Sequence, residues 1–229
     1  MNQRNQHWQQ HYRQLHSLES TEGVCRSLEY SNERCQIQLY AHLLEAAGPL
    51  AGKRVLDVGC GRGITTRIFD ACGAMAMGID VVPETIPELQ RRHPHLQWQV
   101  IDVLDESQMR QLGLFDVVVA MEVLQYVDFT TAMTNLWPHV AAGGRLIGFV
   151  PNSACPIAAK VRQRFDNMWL PLSEAEIGAV AAMLPGTADL RIKGLQFRTD
   201  QSFLPYETTD WSERVDGAPN RLGFVIRRR

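Results

Sequence analysis

Three glycines spaced two residues apart, Gly59, Gly61 and Gly63, form the stretch of this sequence best suited to holding a ligand. They directly follow an apolar run, Arg54 to Val58, and a helical pattern starts directly after them. Because glycine has no Cβ and tolerates positive φ, a ligand can approach the backbone of such a turn closely. Asp80 lies twenty-one residues after Gly59, at the end of the next strand-like segment. A carboxylate there can accept hydrogen bonds from both hydroxyls of a ribose, so the pattern predicts a nucleotide-like ligand.

The elements around these residues alternate between strand and helix, which is typical of an open parallel sheet. The segment FDVVVA is apolar almost throughout, as expected for a strand buried on both faces. A turn is predicted at Ala142 to Gly144, just before the fifth strand. The predicted strands are 54–58, 74–79, 96–101, 115–120 and 145–150, and the predicted helices between them are 65–71, 84–92 and 129–137.

The two ends of the chain carry further elements. Near the start, Trp8 and Tyr12 fall on one face of a possible helix, and a second helix is predicted to end near residue 47. Ser173-x-x-Glu176 is a capping box for a helix that reaches about residue 184. Two final strands, about 190–197 and 222–227, have no helix between them, so we expect them to pair antiparallel.

Composition narrows the possible functions. The 229 residues are 45% hydrophobic, which suits one well-buried core, and the net charge of −2 gives no general attraction to nucleic acid. The five cysteines contain no C-x-x-C pair, which argues against a disulfide framework and a zinc site. No apolar run has the length of a signal peptide core or a membrane span. We expect a cytoplasmic protein that binds neither membrane, metal nor nucleic acid; its oligomeric state stays open.

The segments VLDVGCGRG, GIDV, IDVLD, FDVVVAMEVLQYV and GGRLIGFVPN, in this order, resemble the class I S-adenosylmethionine-dependent methyltransferases. The resemblance covers residues 54–152 closely and 173–227 more loosely. It implies a three-layer α/β sandwich with a Rossmann-like, seven-stranded, mostly parallel sheet whose last strand is antiparallel. It also implies S-adenosylmethionine as cofactor, with S-adenosylhomocysteine as product, and a methyl acceptor that we expect to be a small molecule.

The resemblance implies roles for particular residues. Asp80 would bind the ribose hydroxyls, although it could instead cap the next helix, and Asp102 would accept from the adenine amino group, although it could be a turn residue. Tyr126 stands where the family often has a histidine, so a histidine base is not expected, and Tyr126 and Glu122 are only weak catalytic candidates. The implied cofactor contacts are Asp57 behind the glycine loop, Gly59, Gly61, Gly63, Asp80, Val81, Asp102, Val103 and Met121.

Other functions remain open at this point. A nicotinamide-dependent dehydrogenase would need G-x-G-x-x-G, and Ile64 occupies the last position of that pattern. A methyltransferase acting on RNA or protein, or a cofactor-binding module without catalysis, is not excluded by the residues themselves. His139 precedes the fifth strand, and we expect it at the surface, away from the site.

The acceptor side of the site is expected from segments outside the sheet. We interpret residues 1–229 as one domain with a helical cover (1–48), a cofactor-binding core (54–152), an insertion over the site (153–172) and a C-terminal helix with a hairpin (173–229). The cover and the insertion are predicted to form a lid that excludes water. The predicted acceptor-pocket residues are Trp8, Tyr12, Tyr126, Asn152, Phe165 and Trp169.

Overall fold

A computed structural model describes residues 6–8, 10, 33–156, 158–165, 168–196, 211 and 217–229. For residues 33–36 and 164 the description is limited to the backbone. The centre of the structure is one seven-stranded sheet with the order β3-β2-β1-β4-β5-β7-β6. The strands are β1 (Arg54–Val58), β2 (Met75–Asp80), β3 (Gln97–Val100), β4 (Phe115–Met121), β5 (Val140–Pro151), β6 (Thr187–Leu195) and β7 (Arg221–Arg228).

Strand β7 runs antiparallel to both of its neighbours, β5 and β6, whereas β1 to β5 pair in parallel. The predicted sheet and its antiparallel hairpin are therefore confirmed. Because β7 is inverted, its first residue, Arg221, lies at the same edge of the sheet as the ends of the parallel strands. The β5–β7 register shows this directly, since Arg221 pairs with Pro151, the last residue of β5.

Helices cover both faces of the sheet. Alternation along the strands divides the apolar side chains between two cores, as in β1, where Leu56 belongs to one core and Val55 to the other. The described helices are α1 (Glu33–Ala47), α2 (Ile64–Ala71), α3 (Thr85–Arg92), α4 (Glu106–Met109), α5 (Phe129–Leu136), α6 (Ala158–Arg164) and α7 (Glu174–Met183). Residues of α1, α2 and α3 fill the core on the Val55 side, and residues of α4, α5 and α7 fill the other.

The largest difference from the predicted boundaries is at the start of β5; β6 also begins three residues earlier than predicted and ends two residues earlier. The turn expected at residues 142–144 is instead part of the strand, which begins at Val140. Phe115 pairs with Val140 while Val117 pairs with Arg145, so the extra residues of β5 form a bulge opposite β4. Gly143 has a φ of +73°, so the glycine pair that predicted a turn allows the bulge instead.

Candidate active site

The strand order reverses between β1 and β4, and in open α/β sheets ligands bind at such a point, beyond the carboxyl ends of the strands. The glycine loop follows β1 there. Gly59 and Gly63 have φ of +67° and +72°, and a Cβ on them would come within 2.5 Å of Val123 and 2.7 Å of Trp98, respectively. The nearest atom to a Cβ on Gly61 is the Gly59 carbonyl oxygen at 4.0 Å. Gly59 and Gly63 therefore serve internal packing, whereas Gly61 borders open space.

Asp80 is held against this open position. Its Oδ2 accepts the Gly61 N–H at 2.8 Å, and its Oδ1 accepts the Val82 N–H at 2.9 Å. The carboxylate is half-buried at the end of β2. The structure thus brings two of the predicted cofactor residues, Gly61 and Asp80, into direct contact.

Asp57 lies underneath the loop and is only 2% exposed. The Thr66 hydroxyl, on α2, donates to its Oδ2 at 2.6 Å. Burial raises the pKa of the Asp57 carboxyl to about 7, opposed by hydrogen bonds from Thr66 and reinforced by the charge of Asp80. This hydrogen bond joins β1 to α2. The buried Asp57 side chain does not border the open space beside Gly61.

Asp102 and its neighbours follow β3, next to the end of β2. Asp102 is half-buried, its Oδ1 accepts the Leu104 N–H at 2.9 Å, and its own N–H donates to Gln108 Oε1 at 2.9 Å. These bonds form a turn of the kind that the sequence left open as an alternative. Val103 packs in the core at 7% exposure, and Val81, after β2, is half-buried.

Glu122 directly follows β4, on the other side of the glycine loop. Its φ is +55°, the one positive φ among the described residues other than glycine. Its N–H donates to the Phe149 carbonyl at 2.9 Å, and its own carbonyl accepts from Gln125 Nε2 at 2.9 Å. Met121, the last residue of β4, is half-buried beside the core on the Val55 side.

The Glu122 carboxylate forms a buried ion pair with Arg221. Arg221 Nε donates to Oε1 at 3.1 Å and lies 3.3 Å from Oε2. The two side chains are 15% and 8% exposed. Burial raises the pKa of Glu122 well above its usual value, while the adjacent guanidinium acts in the opposite direction. Sequence reasoning missed Arg221; the one available signal was a cation directly before the apolar run 222–226.

Four of the predicted acceptor-pocket residues form one aromatic cluster: Trp8, Tyr126, Phe165 and Trp169. The Trp8 ring lies 4.4 Å from the Tyr126 ring and 5.5 Å from the Phe165 ring, measured between centroids. Trp8 Nε1 also donates to the Met168 carbonyl at 3.2 Å. Trp8 and Trp169 are 4% and 6% exposed, whereas Tyr126 and Phe165 are half-buried, so solvent reaches only part of the cluster.

The aromatic cluster is anchored to the turn that follows β4. That turn is a short 3-10 helix, Leu124–Tyr126, and the Gln125 carbonyl accepts the Leu170 N–H at 2.8 Å. Residues 6–8 are helical, but Tyr12, the remaining aromatic residue predicted for the pocket, lies outside the described residues. N-terminal residues and the 153–172 insertion therefore meet beside the end of β4.

The Asn152 side chain forms hydrogen bonds to two backbone segments. It is 4% exposed, its Nδ2 donates to the Pro219 carbonyl at 2.8 Å, and its Oδ1 accepts the Ala154 N–H at 3.0 Å. It thus joins the start of the insertion to the segment before β7.

The structure also corrects the expected position of His139. It is 9% exposed, and its Nδ1 lies 3.0 Å from the Gly113 carbonyl oxygen, so it is buried and not at the surface as predicted. His139 is the last residue of the short 3-10 helix Trp137–His139, directly before β5.

Within the described ranges, no helix has the length and apolarity needed to cross a membrane. Among the same residues, no three His, Cys, Asp or Glu side chains come close enough together to hold a metal ion. The expected absence of a metal stays a prediction.

The sheet order, the glycine loop and the carboxylate beside it define the Rossmann-like methyltransferase class. The chain belongs to the family described as "Methyltransferase domain", whose profile matches residues 31–181. The resemblance stated from the motifs is thereby confirmed.

Individual relatives cover less of the chain. The "Ubiquinone biosynthesis O-methyltransferase" of Bordetella parapertussis is 35% identical over 109 residues, 46% of this chain and 45% of that protein. That of Acinetobacter baumannii is 41% identical over 88 residues, 36% of this chain and 37% of that protein. The chain therefore matches less than half the length of these curated relatives.

Solved structures match the whole fold at lower identity. The N-methyltransferase NodS from Bradyrhizobium japonicum, in complex with S-adenosylhomocysteine, has a TM-score of 0.64 and 21% identity, covering 95% of this chain and 97% of that one. The magnesium protoporphyrin IX methyltransferase from Synechocystis, with bound S-adenosylmethionine, has a TM-score of 0.63 and 18% identity, covering 99% and 98%. At these identities the comparison establishes the fold.

Proposed function

We propose that the protein transfers a methyl group from S-adenosylmethionine to a small-molecule acceptor. The observation that carries this proposal is the Asp80–Gly61 contact. It places a carboxylate at the one glycine of the loop that borders open space, where the strand order reverses.

The residues present suit such a cofactor. A side chain at Gly61 would fill the space beside the loop, and Asp80, which contacts Gly61, would accept from ribose hydroxyls. Asp102, at the end of the neighbouring strand, would accept from the adenine amino group, with Val81 and Val103 beside the ring. Gly59, Gly63 and Asp57 would support the loop, and Met121 would border the methionine portion. When bound, S-adenosylmethionine supplies an already activated methyl group.

The remaining task of the chain is to place the acceptor and exclude water. We assign this task to the aromatic cluster, which joins the N-terminal residues to the insertion next to the end of β4. In the structure this cluster is packed on itself, so an acceptor could enter only if Trp8 or the insertion moved. The two segments would then act as the lid expected from the sequence.

For the acceptor atom we propose the oxygen of a hydroxylated aromatic ring. Two observations support this choice: the aromatic side chains around the acceptor side, and the curated relatives named as O-methyltransferases. Aromatic side chains favour a planar ring through offset or edge contacts. An RNA or protein acceptor, or a binding module without catalysis, is a distinguishable outcome of the test below.

The test has two stages. Calorimetry should show S-adenosylmethionine and S-adenosylhomocysteine binding with a Kd of about 1 μM, roughly −8 kcal/mol, and no binding of NADH. Mass spectrometry should then detect methylation of at least one of catechol, 3,4-dihydroxybenzoate and caffeate, but not of RNA or a peptide mixture. Binding without transfer to any acceptor would favour the non-catalytic module, and NADH binding would contradict the methyltransferase assignment.

A further inference from the structure

The buried ion pair of Glu122 and Arg221 has no part in holding the cofactor as proposed above. It joins residues ninety-nine positions apart, and it lies at the edge of the sheet where β4 ends and β7 begins. Its charged groups are 15% and 8% exposed. Burying such a pair costs desolvation free energy, and an apolar pair of similar size often stabilises a fold as well or better. A contribution to stability therefore does not by itself account for this ion pair.

The backbone conformation of Glu122 also indicates a functional role for this residue. A φ of +55° is unfavourable for a residue with a Cβ, and such strain persists where the surrounding structure enforces it, often at functional sites. Three contacts enforce it here: the Glu122 N–H binds the Phe149 carbonyl, Gln125 binds the Glu122 carbonyl, and Arg221 binds the carboxylate. The same 3-10 turn carries Tyr126, which contacts Trp8 in the aromatic cluster.

We propose that Arg221 is a positioning residue for methyl transfer, whose guanidinium holds the Glu122 carboxylate in place to accept the proton of the acceptor hydroxyl. This inference rests on the proposed function. The acceptor oxygen forms its bond to the methyl carbon while the carbon–sulfur bond breaks and its electron pair stays on sulfur. The acceptor proton passes to Glu122, which leaves a neutral ether and a neutral carboxyl group.

Glu122 suits this role because its surroundings favour the protonated form more than water does. Burial raises its pKa well above the ordinary value, which strengthens it as a base. The charged group that contacts the carboxylate is the Arg221 guanidinium on β7, and the Gln125 amide on the 3-10 turn binds the Glu122 backbone carbonyl. Arg221 carries the charge that opposes protonation, so it favours the carboxylate form that accepts the proton.

The test measures the protonation of Glu122 directly. Protein labelled with ¹³C at the glutamate carboxyl carbon is saturated with S-adenosylhomocysteine and titrated by NMR, and Glu122→Gln identifies the resonance. The wild-type midpoint should lie above the ordinary glutamate range. In Arg221→Met and Arg221→Gln it should rise further by about one to three pH units, because a carboxyl group loses an adjacent cation. Arg221→Lys should lie between the wild type and these two variants.

Lys193→Met is the matched control. Lys193 is another buried cation on the same hairpin, 5% exposed, with its Nζ 2.8 Å from Glu45 Oε2. Its loss should destabilise the fold comparably and leave the Glu122 titration unchanged. An Arg221 variant that titrates like the wild type would overturn the proposal. If neither neutral variant folds, Arg221→Lys decides, because a Glu122 midpoint equal to that of the wild type would overturn the role of Arg221.

Activity gives a second readout. With whichever catechol is methylated, the low-pH limb of kcat/KM should follow the NMR midpoint and move with it in the Arg221 variants, while the Kd of S-adenosylhomocysteine stays within about threefold. A limb that does not move would overturn the role of Glu122 as proton acceptor. Failure of the proposed function looks different, because wild-type protein would then bind no S-adenosylhomocysteine or methylate none of the catechols.

Discussion

Alanine substitutions in the glycine loop should separate the position that a ligand needs from the position that the fold needs. Gly61 and Gly59 both have a left-handed backbone, with φ of +49° and +67°. An alanine in this conformation costs about 1–2 kcal/mol. At Gly59 the new Cβ would also lie within 2.5 Å of Val123 Cγ2, and overpacking of this kind costs about 1–3 kcal/mol more.

We therefore expect Gly61→Ala to lower the free energy of unfolding by about 1–2 kcal/mol and Gly59→Ala by about 2–5 kcal/mol. Gly61→Ala should also weaken the binding of S-adenosylhomocysteine. Its Cβ would enter the open space beside the loop, where we place the cofactor, so the Kd of S-adenosylhomocysteine should rise at least about thirtyfold, or about 2 kcal/mol.

Urea denaturation measures the first quantity and calorimetry the second. Gly52→Ala is the control, because Gly52 has a φ of +74° with nothing within 4 Å, and it precedes β1 at the opposite edge of the sheet. It should show the same loss of stability as Gly61→Ala with unchanged binding. If folded Gly61→Ala binds S-adenosylhomocysteine within about threefold of the wild type, no ligand approaches the loop there, and the proposed site is wrong.

Three further predictions concern single side chains. Asp80→Ala should weaken S-adenosylmethionine binding more than a hundredfold in calorimetry, about 3 kcal/mol, since two charge-assisted hydrogen bonds are lost; Asp70→Ala, an exposed carboxylate on α2, should not. The pKa of Asp57 rises from 3.8 in the unfolded chain to about 7 in the folded protein, so the free energy of unfolding should fall by about 1.4 kcal/mol per pH unit as pH rises between these values. In Asp57→Asn, urea denaturation at several pH values should show a flatter dependence over this range. Equal slopes in the variant and the wild type would contradict the raised pKa of Asp57. Trp8→Ala should speed proteolysis within residues 153–172 and leave the Kd of S-adenosylhomocysteine within about threefold, whereas Trp8→Phe should resist cleavage; unchanged cleavage of Trp8→Ala would separate Trp8 from the insertion.

The sequence was sufficient for the parts of the fold that depend on local pattern. Strands β1, β2 and β4 are largely apolar runs, and β3 alternates polar and apolar residues. The glycine loop joins β1 to α2 within a few residues. These features could be recognised without knowing any distant contact. The bulge at the start of β5 could not, because it depends on which residues of β4 pair with Val140 and Arg145. The burial of His139 was missed because its ring contacts the Gly113 carbonyl, 26 residues earlier in the chain, which no local pattern indicates.

The acceptor side of the site was harder to predict because its contacts join distant residues. Trp8 donates to a carbonyl 160 residues away, and Glu122 pairs with a residue 99 positions later. Neither contact follows from periodicity or spacing. Nor does glutamate suggest a left-handed backbone, since that conformation favours glycine and asparagine. The family resemblance suggested that the N-terminal segment and the insertion share a site, but only the structure shows which side chains meet.

The two halves of the proposed site touch at Val123. This residue follows Glu122 in the turn after β4, and its side chain packs so closely on Gly59 that a Cβ there would be 2.5 Å from Val123 Cγ2. Because protein interiors are close-packed, a shift of the Glu122 turn must move either Val123 or the glycine loop. The guanidinium of Arg221, which holds that turn through Glu122, therefore fixes where the acceptor side meets the glycine loop, while the loop itself keeps its own packing through Gly63, next to Trp98. The ion pair, the strained backbone and the glycine loop thus form one connected unit, in which the acceptor side is held in a fixed position relative to the cofactor side.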